Sequence, residues 1–268
     1  MIVVFMVAGM SSRYGGKLKQ FAPIGKNNEP LIQVSLDQAL TAKFKKIIFI
    51  TNKKTEDKFI NHFGYKYNGI PVQYIRQEWD EITRDRPWGT ADAIAVLAGK
   101  VFEPCIFVNS DDIYGEETFQ EGVSLFSKTG DNIVGGCILN KTMPTDKNAI
   151  VNRGVIYTKQ DKNNNLIVTK MQEMLKISSS KNPELLNELA SVNFFGLTPN
   201  VIFFLEELVI KFKKENAGDR KIEYILPNAL SEIIENRRAT MHCFEIKNKI
   251  CGVTYPGDEK NVKNIINN

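Results

Sequence analysis

The sequence of 268 residues lacks any apolar run close to the ~18 residues that a membrane-spanning helix needs. Its longest apolar runs, among them residues 47–50 and 201–205, have the length of a strand or of half a helix. The apolar N-terminal stretch has no basic segment before it and no small-residue cleavage site after it, so it is interpreted as a first strand and not as a signal peptide. We therefore expect a water-soluble protein with no membrane partner.

Cysteine and histidine are scarce, and their spacing matches no common metal motif. There are four cysteines and two histidines, and they form no CxxC and no Cys/His pattern of zinc-site spacing. Cys105 opens an apolar run and Cys137 lies inside another, which favours buried, reduced thiols and a reducing, cytoplasmic compartment. Neither His62 nor His242 has an acid or base partner nearby in the sequence, so nothing favours a histidine-centred mechanism.

The chain also lacks a strong charge of one sign. Lys and Arg number 35 against 31 Asp and Glu, which gives a net charge of +4, and the cations are scattered along the sequence. Such a diffuse charge argues against a nucleic-acid partner. With 43% apolar, 25% charged and 10% aromatic residues, the composition is that of a globular protein. We expect a single domain over residues 1–268, with no internal repeat.

Short β-branched runs alternate with amphipathic stretches through the first half, which is typical of βαβ units feeding a mostly parallel sheet. The predicted strands are 2–7, 46–51, 72–76 and 105–109. The predicted helices between them are 31–44, 55–63 and 90–100. The expected fold is therefore α/β, with helices on both faces of a mostly parallel central sheet.

After residue 130 the pattern changes to strand-like pieces separated by polar loops, which predicts a mixed or antiparallel extension of the sheet. These pieces are 133–139, 154–158, 166–171 and 190–197. Two helices, 201–214 and 222–236, follow them. A last strand at 241–246 and a short terminal helix complete the prediction.

A small-residue loop, AGMSSRYGGKLKQ at residues 8–20, comes directly after the first strand. Open α/β sheets bind ligands at this place, because backbone N–H groups exposed at a strand's carboxyl end can hold an anion. Arg13, Lys17 and Lys19 add positive charge to the same loop. The loop matches neither GxxxxGK[ST] nor GxGxxG, which excludes a P-loop and gives a dinucleotide-binding fold no support.

This loop resembles the opening motif of the sugar nucleotidyltransferases, the NDP-sugar pyrophosphorylases, which is similar to AGxG[ST]R followed by a basic pair. Ala8, Gly9 and Arg13 match it, whereas Ser11 stands where the family usually has a second glycine. An additional residue near Lys17 makes Lys17 and Lys19 alternatives for one role; Gln20 and the following PIG segment favour Lys19. The resemblance implies a GT-A-like, Rossmann-like nucleotidyltransferase fold, with Ala8 and Gly9 at the nucleotide and Arg13 and Lys19 as catalytic cations.

Other segments follow in family order over nearly the whole chain. By resemblance to the uridylyltransferase branch, the base and nucleotide would be bound by Gln77, Gly89 and Thr90, although eleven residues separate the first two, more than is usual. The sugar phosphate would be bound by Gly154, Glu173 and Asn193. A late segment, EYILP at residues 223–227, is similar to the one that opens a helix in the family.

The pair Asp111-Asp112 follows the strand at 105–109 and resembles the family's metal-holding motif. Hard cations take carboxylate oxygens, and substrate phosphates complete their coordination shell, so Asp111 is the predicted Mg²⁺ ligand. The alternative is a plain turn, since Asp-Asp followed by Tyr-Gly is good turn chemistry. A second protein ligand stays unassigned.

The resemblance implies transfer of a nucleotidyl group from an NTP, with UTP expected, to a sugar 1-phosphate, with release of pyrophosphate. Glucose 1-phosphate and N-acetylglucosamine 1-phosphate are the expected acceptors. Three alternatives remain open: a cytidylyltransferase acting on a phosphorylated alcohol, a GT-A glycosyltransferase, and a non-catalytic nucleotide-sugar sensor. A homo-oligomer is compatible with the sequence.

Overall fold

The computed structural model describes residues 1–9, 14–143, 146 and 148–267. Its strands are β1 (Ile2–Met6), β2 (Lys46–Thr51), β3 (Lys66–Tyr67), β4 (Ile70–Arg76), β5 (Cys105–Asn109), β6 (Asp112–Ile113), β7 (Asn132–Ile138), β8 (Val151–Gln160), β9 (Leu166–Ile177), β10 (Leu189–Leu197), β11 (Met241–Glu245) and β12 (Cys251–Gly252). Its helices are α1 (Leu31–Leu40), α2 (Glu56–Phe63), α3 (Thr90–Ala95), α4 (Glu116–Thr129), α5 (Leu139–Thr142), α6 (Pro199–Glu215), α7 (Leu226–Glu235) and α8 (Asp258–Asn267). None of the helices in this part of the chain has the length and apolarity needed to cross a membrane.

The contacts within the chain divide it into two compact units, each assembled from separate stretches of sequence. The first unit comprises residues 1–78, 103–124 and 248–268, and the second comprises residues 79–102 and 125–247. The expectation of a single domain over residues 1–268 stays a prediction.

The first unit contains a mostly parallel sheet in the order β3-β4-β2-β1-β5. Strands β1, β2 and β5 are nearly continuous apolar runs, and almost every residue in them is buried. Strands covered on both faces need side chains such as Val, Ile and Phe on either side, so they show no polar alternation. The short strand β3 pairs antiparallel with β4 at one edge.

The parallel strands of the first unit end together, because Met6 is paired with both Ile50 and Asn109 and Thr51 is paired with Arg76. The segments that follow these strands therefore lie along one edge of the sheet. The strand order changes direction at β1, which has β2 on one side and β5 on the other. In an open α/β sheet, a ligand crevice forms outside the carboxyl ends of the strands at such a switch point.

The second unit is built on β7 to β11, whose pairings form a closed circuit. Strand β7 lies between β10 and β11, β11 also pairs with β9, β9 pairs with β8, and β8 returns to β10. Antiparallel pairs dominate, and β7 with β11 is the parallel exception. The predicted mixed extension is therefore present as a group of strands with its own core, which includes Val155, Ala190 and Leu139.

Each predicted strand and helix corresponds to an observed one, with differences at the ends. The helices predicted at 31–44 and 90–100 end at Leu40 and Ala95. Both continue as turns with i→i+3 hydrogen bonds that lead to a residue of positive φ, Lys43 in one case and Gly99 in the other. The helix predicted at 222–236 begins only at Leu226, because the backbone before it is bonded to residues 88 and 91. Helix α4 was not predicted.

Candidate active site

The first β-strand leads directly into the loop singled out in the sequence, and a buried asparagine fixes the start of that loop. Asn52, which follows β2 and is 3% exposed, donates from Nδ2 to the Ala8 carbonyl oxygen at 2.6 Å. Its Oδ1 accepts the N–H groups of Lys54 and Thr55. Ala8 is buried and Gly9 is exposed, so the chain emerges from the sheet at this point. Arg13 lies outside the described residues.

Lys19 and Asp111 form an ion pair at the end of the parallel sheet, with the Lys19 ammonium on the Asp111 carboxylate. Their side chains are 17% and 22% exposed, so solvent reaches the pair only in part. Lys17 is exposed, and its backbone N–H bonds to Tyr14. Of the two lysines that the sequence left as alternatives, Lys19 is the one beside the predicted metal ligand.

The neighbouring residues reinforce the same junction. The Gln20 side chain is 2% exposed and donates from Nε2 to the Ser110 hydroxyl at 3.3 Å. The Ser110 hydroxyl in turn donates to the Met6 carbonyl oxygen at 2.7 Å. Lys19-Gln20 thus binds Ser110-Asp111 through two adjacent contacts, which tie the loop after β1 to the turn after β5. The sequence alone predicts no role for Gln20 or Ser110 in the site.

The turn after β5 provides two carboxylates in different surroundings. Asp112 accepts a hydrogen bond from Asn109 Nδ2 at 2.8 Å, and its carboxylate packs against Gly252, where there is no room for a side chain. The Asp111 carbonyl oxygen accepts the Val253 N–H, which holds the turn against the C-terminal segment. Asp111 therefore keeps a partly exposed carboxylate, whose described partner is the Lys19 ammonium group.

These residues fit a Mg²⁺ ion. No group of three His, Cys, Asp or Glu side chains in the described stretches is placed to hold a metal ion. Mg²⁺ does not require one, because it commonly takes one or two carboxylates and completes its octahedron with water and substrate phosphates. Asp111 provides one accessible carboxylate, and the neighbouring Lys19 is a cation that suits phosphate. This donor set matches the way in which Mg²⁺ is commonly held.

Gln77 follows β4 at the same edge of the sheet, and its N–H donates to the Thr51 carbonyl oxygen at 2.8 Å. Its side chain is 3% exposed, so the surrounding groups restrict the orientation of the amide. An amide that recognises a base needs such a restriction, because a free amide can exchange its donor and acceptor by flipping.

In the second unit, the predicted Gly89-Thr90 motif and the EYILP segment form one structure. The Tyr224 N–H donates to the Trp88 carbonyl oxygen at 2.7 Å, and the Ala91 N–H donates to the Tyr224 carbonyl oxygen at 3.1 Å. The Thr90 hydroxyl accepts the Leu226 N–H at 2.9 Å. The last of these bonds joins residues 136 positions apart, so two motifs that look independent in the sequence hold each other in place.

Gly89 is required by this contact. Its φ of +103° is rare for residues with a side chain, and a Cβ there would lie 2.5 Å from the Tyr224 carbonyl oxygen and 2.7 Å from the Tyr224 nitrogen. Both the backbone conformation and the space therefore select glycine.

We expect Gly89→Ala to lower the free energy of unfolding by about 2–3 kcal/mol, from backbone strain together with overpacking. Denaturant unfolding of the purified variant checks this. Gly99→Ala is the matched control, because Gly99 has a φ of +69° but nothing within 4 Å of the added Cβ. An equal loss of stability in both variants would show that the Tyr224 contact adds nothing.

Arg84 fixes the segment before this motif, a role that sequence analysis did not predict. Its guanidinium donates to the carbonyl oxygens of Arg86, Asp219 and Ile222 and lies 3.4 Å from the centre of the Trp88 ring. Burial lowers the pKa of this guanidinium below its ordinary value. Trp88 also packs edge-on against Phe212, so in the structure this tryptophan is a packing residue.

Gly154 and Glu173 face each other as a registered pair of β8 and β9. A Cβ on Gly154 would lie 2.9 Å from Cγ of Pro227 in the first turn of α7, so glycine allows the helix to approach the strands. Asn228 Oδ1 accepts the Glu173 N–H at 3.0 Å. Burial raises the pKa of the Glu173 carboxyl, and nearby Arg153 lowers it in part.

Asn193 lies at a β-bulge, where the register between β10 and β7 shifts between Ser191 and Phe194. Its φ of +59° is left-handed, a conformation that asparagine tolerates better than most residues. The Asn193 N–H bonds to the Ser191 hydroxyl. Ala190 of β10 is paired with Val155 of β8, which is next to Gly154. The bulge therefore begins close to Gly154. A bulge redirects side chains, and bulges are common next to active sites.

The structure thus brings the predicted residues together in groups. In the first unit, Ala8, Gly9, Lys19, Gln77 and Asp111 lie at or on the edge formed by the parallel strand ends. In the second unit, Gly89 with Thr90 forms one group, and Gly154, Glu173 and Asn193 lie on three neighbouring strands.

A parallel sheet with a cation and a carboxylate at its switch point is typical of α/β proteins that bind phosphates. Comparison with known families identifies the class. A family model described as nucleotidyl transferase matches residues 15–240, so the chain belongs to that family. The expected family, α/β nucleotidyltransferase fold and enzyme class are therefore confirmed. No curated protein matches the chain.

Solved structures with the same fold include two of UDP-glucose pyrophosphorylase. The complex with UDP-glucose has a TM-score of 0.72 and 18% identity, and the match covers 99% of this chain and 98% of that one. The apo form has a TM-score of 0.70 and 18% identity, over 99% and 97% of the two chains. A Bacillus anthracis protein described as a glucose-1-phosphate thymidylyltransferase, in complex with sucrose, has a TM-score of 0.68 and 14% identity, over 98% and 94%.

Proposed function

We propose that this protein transfers a uridylyl group from UTP to a sugar 1-phosphate and releases pyrophosphate. The observation that carries the proposal is the contact between Lys19 and Asp111 at the carboxyl edge of the parallel sheet. This ion pair supports the proposal, because nucleotidyl transfer needs a cation that can bind phosphate close to a carboxylate that can hold Mg²⁺.

In the proposed reaction, an oxygen of the sugar phosphate attacks the α-phosphorus of the NTP in line. The bond between the α-phosphorus and the bridging oxygen breaks, and pyrophosphate leaves. The attacking phosphate is already ionised at neutral pH, so the enzyme needs no general base. Its contribution is positioning and neutralisation of phosphate charge.

The residues of the first unit would supply that neutralisation. Arg13 and Lys19 would bind the triphosphate, because charge-assisted hydrogen bonds to phosphate strengthen as charge moves onto the leaving group. Asp111 would hold Mg²⁺, which when bound supplies further neutralisation of the phosphates. Ala8 and Gly9 would offer backbone N–H groups to the nucleotide, and Gln20 keeps Lys19 next to the Asp111 turn.

The residues of the second unit would bind the remaining parts of the substrates. Gly89 and Thr90, held by the 224–226 segment, would face the nucleotide. Gly154, Glu173 and Asn193 would surround the sugar. The Glu173 carboxylate would accept hydrogen bonds from its hydroxyls, and the Asn193 amide would accept from them or donate to them. Because the family model spans parts of both units, we propose that the whole chain acts as one nucleotidyltransferase domain, in the cytoplasm.

Glucose 1-phosphate and N-acetylglucosamine 1-phosphate are the proposed acceptors. The similar fold of UDP-glucose pyrophosphorylase supports UTP and glucose 1-phosphate, and the thymidylyltransferase structure makes dTTP the first competitor to test.

The decisive experiment measures pyrophosphate release by the protein with each NTP, Mg²⁺ and a panel of sugar 1-phosphates. Release with UTP and a sugar 1-phosphate supports the proposal. Release only with CTP and a phosphorylated alcohol, such as a polyol phosphate, would identify a cytidylyltransferase instead. Binding of UDP-sugars with no pyrophosphate release from any mixture would indicate a glycosyltransferase or a sensor.

Gln77 should set the preference for the base. One amide offers a donor and an acceptor that pair with uracil, whereas cytosine reverses this pattern at N3 and the exocyclic amine. Each buried group left unpaired costs about 1–3 kcal/mol, so we expect UTP to be preferred over CTP by at least about tenfold in kcat/KM. Gln77→Ala should reduce this ratio and leave the Mg²⁺ dependence unchanged. Equal use of CTP and UTP by the unmodified protein would contradict the assignment.

A further inference from the structure

The second unit contains a cavity of about 800 Å³ that none of the predicted site residues lines. Its volume is in the range of small-molecule sites. The walls come from the residues before β7, from β8 and β9, from the first turns of α6, and from the end of α7 with the turn that follows it.

This cavity lies at the other end of the strands from the proposed sugar residues. Lys159 and Ile167 line it and are paired across β8 and β9, whereas the Gly154–Glu173 pair is further along the same two strands. At about 3.3 Å per residue, the separation along the strands is roughly 15–20 Å. A molecule in this cavity would therefore not occupy the sugar position.

A buried asparagine holds the walls in place. Asn132 Oδ1 accepts from the Thr198 N–H and hydroxyl at 2.8 and 3.1 Å, and Asn132 Nδ2 donates to the Thr240 carbonyl oxygen at 3.0 Å. These bonds join β7 to the start of α6 and to the turn before β11. The cavity is thus preformed, which reduces the ordering cost of binding a ligand.

The cationic groups of the lining are of two kinds. Arg238 is paired with Glu207 and lies over the Phe204 ring. The side chains of Lys159 and Arg237, in contrast, have no hydrogen-bond or ion-pair partner within the part of the chain that the structure describes. The lining also has two carboxylates, of Asp131 and Glu235, which contact His242 and Ser231.

Arg237 occupies a position where glycine would be favoured. After α7, the Arg238 N–H bonds to the Ile233 carbonyl and the Arg237 N–H to the Ile234 carbonyl, which is the Schellman pattern of a helix end. The residue at the left-handed position of this motif is usually glycine, but Arg237 has a φ of +55° there. The chain accepts this backbone cost at an exposed residue that lines the cavity.

We propose that this cavity is a second, noncatalytic binding site for a small phosphorylated sugar or polyol. Arg237 and Lys159 bind the phosphate, since neither side chain has a partner among the described residues and the Arg fork suits phosphate oxygens. The carboxylates of Asp131 and Glu235 accept hydrogen bonds from the ligand's hydroxyl groups. Their negative charge disfavours an anion that has no hydroxyl groups. The apolar wall of Ile167 packs against the carbon face of the ligand.

The test is calorimetric titration of the full chain with glucose 6-phosphate, in the absence of NTP, with glucose and inorganic phosphate as comparison probes. We expect glucose 6-phosphate to bind more tightly than either comparison probe. Arg237→Gly and Lys159→Gln should each weaken this binding by at least about tenfold, as loss of a charge-assisted hydrogen bond predicts. Lys19→Ala should bind glucose 6-phosphate as tightly as the unmodified chain does, because this substitution alters only the proposed catalytic site.

The substitution Arg237→Gly also has a matched control. Lys43 has a φ of +62° and does not line the cavity, so Lys43→Gly relieves the same backbone cost elsewhere. Both glycine variants should unfold at temperatures equal to or slightly above that of the unmodified protein, and only Arg237→Gly should lose binding. Three results would overturn the proposal. They are a failure of the unmodified chain to bind glucose 6-phosphate, equally tight binding by Arg237→Gly, and loss of the binding in Lys19→Ala.

Discussion

The Lys19→Ala variant should release pyrophosphate at about one hundredth of the normal kcat or less, as expected when a preorganised donor to a developing phosphate charge is removed. The measurement is kcat at saturating UTP, Mg²⁺ and sugar 1-phosphate. The variant also removes the described counter-ion of Asp111, but the pair is partly exposed, so the protein should stay folded.

Lys17→Ala is the matched control for this variant. Lys17 is an exposed residue of the same loop, and its substitution should leave kcat within about twofold of normal because exposed charges contribute little. If Lys17→Ala lost activity and Lys19→Ala kept it, the alignment of this loop with the family motif would be wrong by two residues.

The Asp111→Asn variant should have the largest effect, a loss of Mg²⁺-dependent turnover of about 10³-fold or more. The amide keeps the shape of the side chain but removes the negative charge that holds a hard cation, so excess Mg²⁺ should restore activity poorly. Pyrophosphate release over a range of Mg²⁺ concentrations measures the effect. Direct titration of the protein with Mn²⁺, followed by electron paramagnetic resonance, should show weakened metal binding without reference to activity.

Asp112→Asn provides the comparison, since the Asp112 carboxylate is already bonded to Asn109 and packed against Gly252. We expect it to retain more activity than Asp111→Asn. Near-normal turnover by Asp111→Asn would show that the metal is held elsewhere, and the proposal for this residue would then fail.

The parallel half of the fold could be predicted because its strands are short apolar runs with clear ends. Strands β2 and β5 have the predicted boundaries, and β1 ends one residue early. Helix α4 was missed although its signals are present: Phe119 and Phe126 lie two turns apart, acidic residues occupy the first turn, and Lys128 is in the last. Polar and charged residues occupy most of the other positions of this segment, so its apolar face is less evident than the neighbouring apolar strands.

The site was harder to predict, because its geometry depends on contacts between distant residues. The basic loop and the Asp-Asp turn are visible in the sequence, yet the Lys19–Asp111 contact joins residues 92 positions apart. The positive φ of Asn193 comes from a bulge in strand pairing, and no local pattern indicates it. Likewise, nothing around Arg84 reveals that its partners are carbonyl oxygens near residue 220.

The hydrogen bonds between residues 88–91 and residues 224–226 have a consequence for how the protein is made. On the ribosome, the Gly89 turn emerges well before Tyr224 has been synthesised, and domains fold as units from the N-terminus. Until then the Trp88 carbonyl and the Ala91 N–H lack the partners that they have in the folded chain. Closing so long a loop adds little entropy cost beyond that of a shorter one, so the bonds can form once the chain reaches that point. A nascent chain cut short before Tyr224 would therefore leave this motif unfinished, however complete the first sheet is.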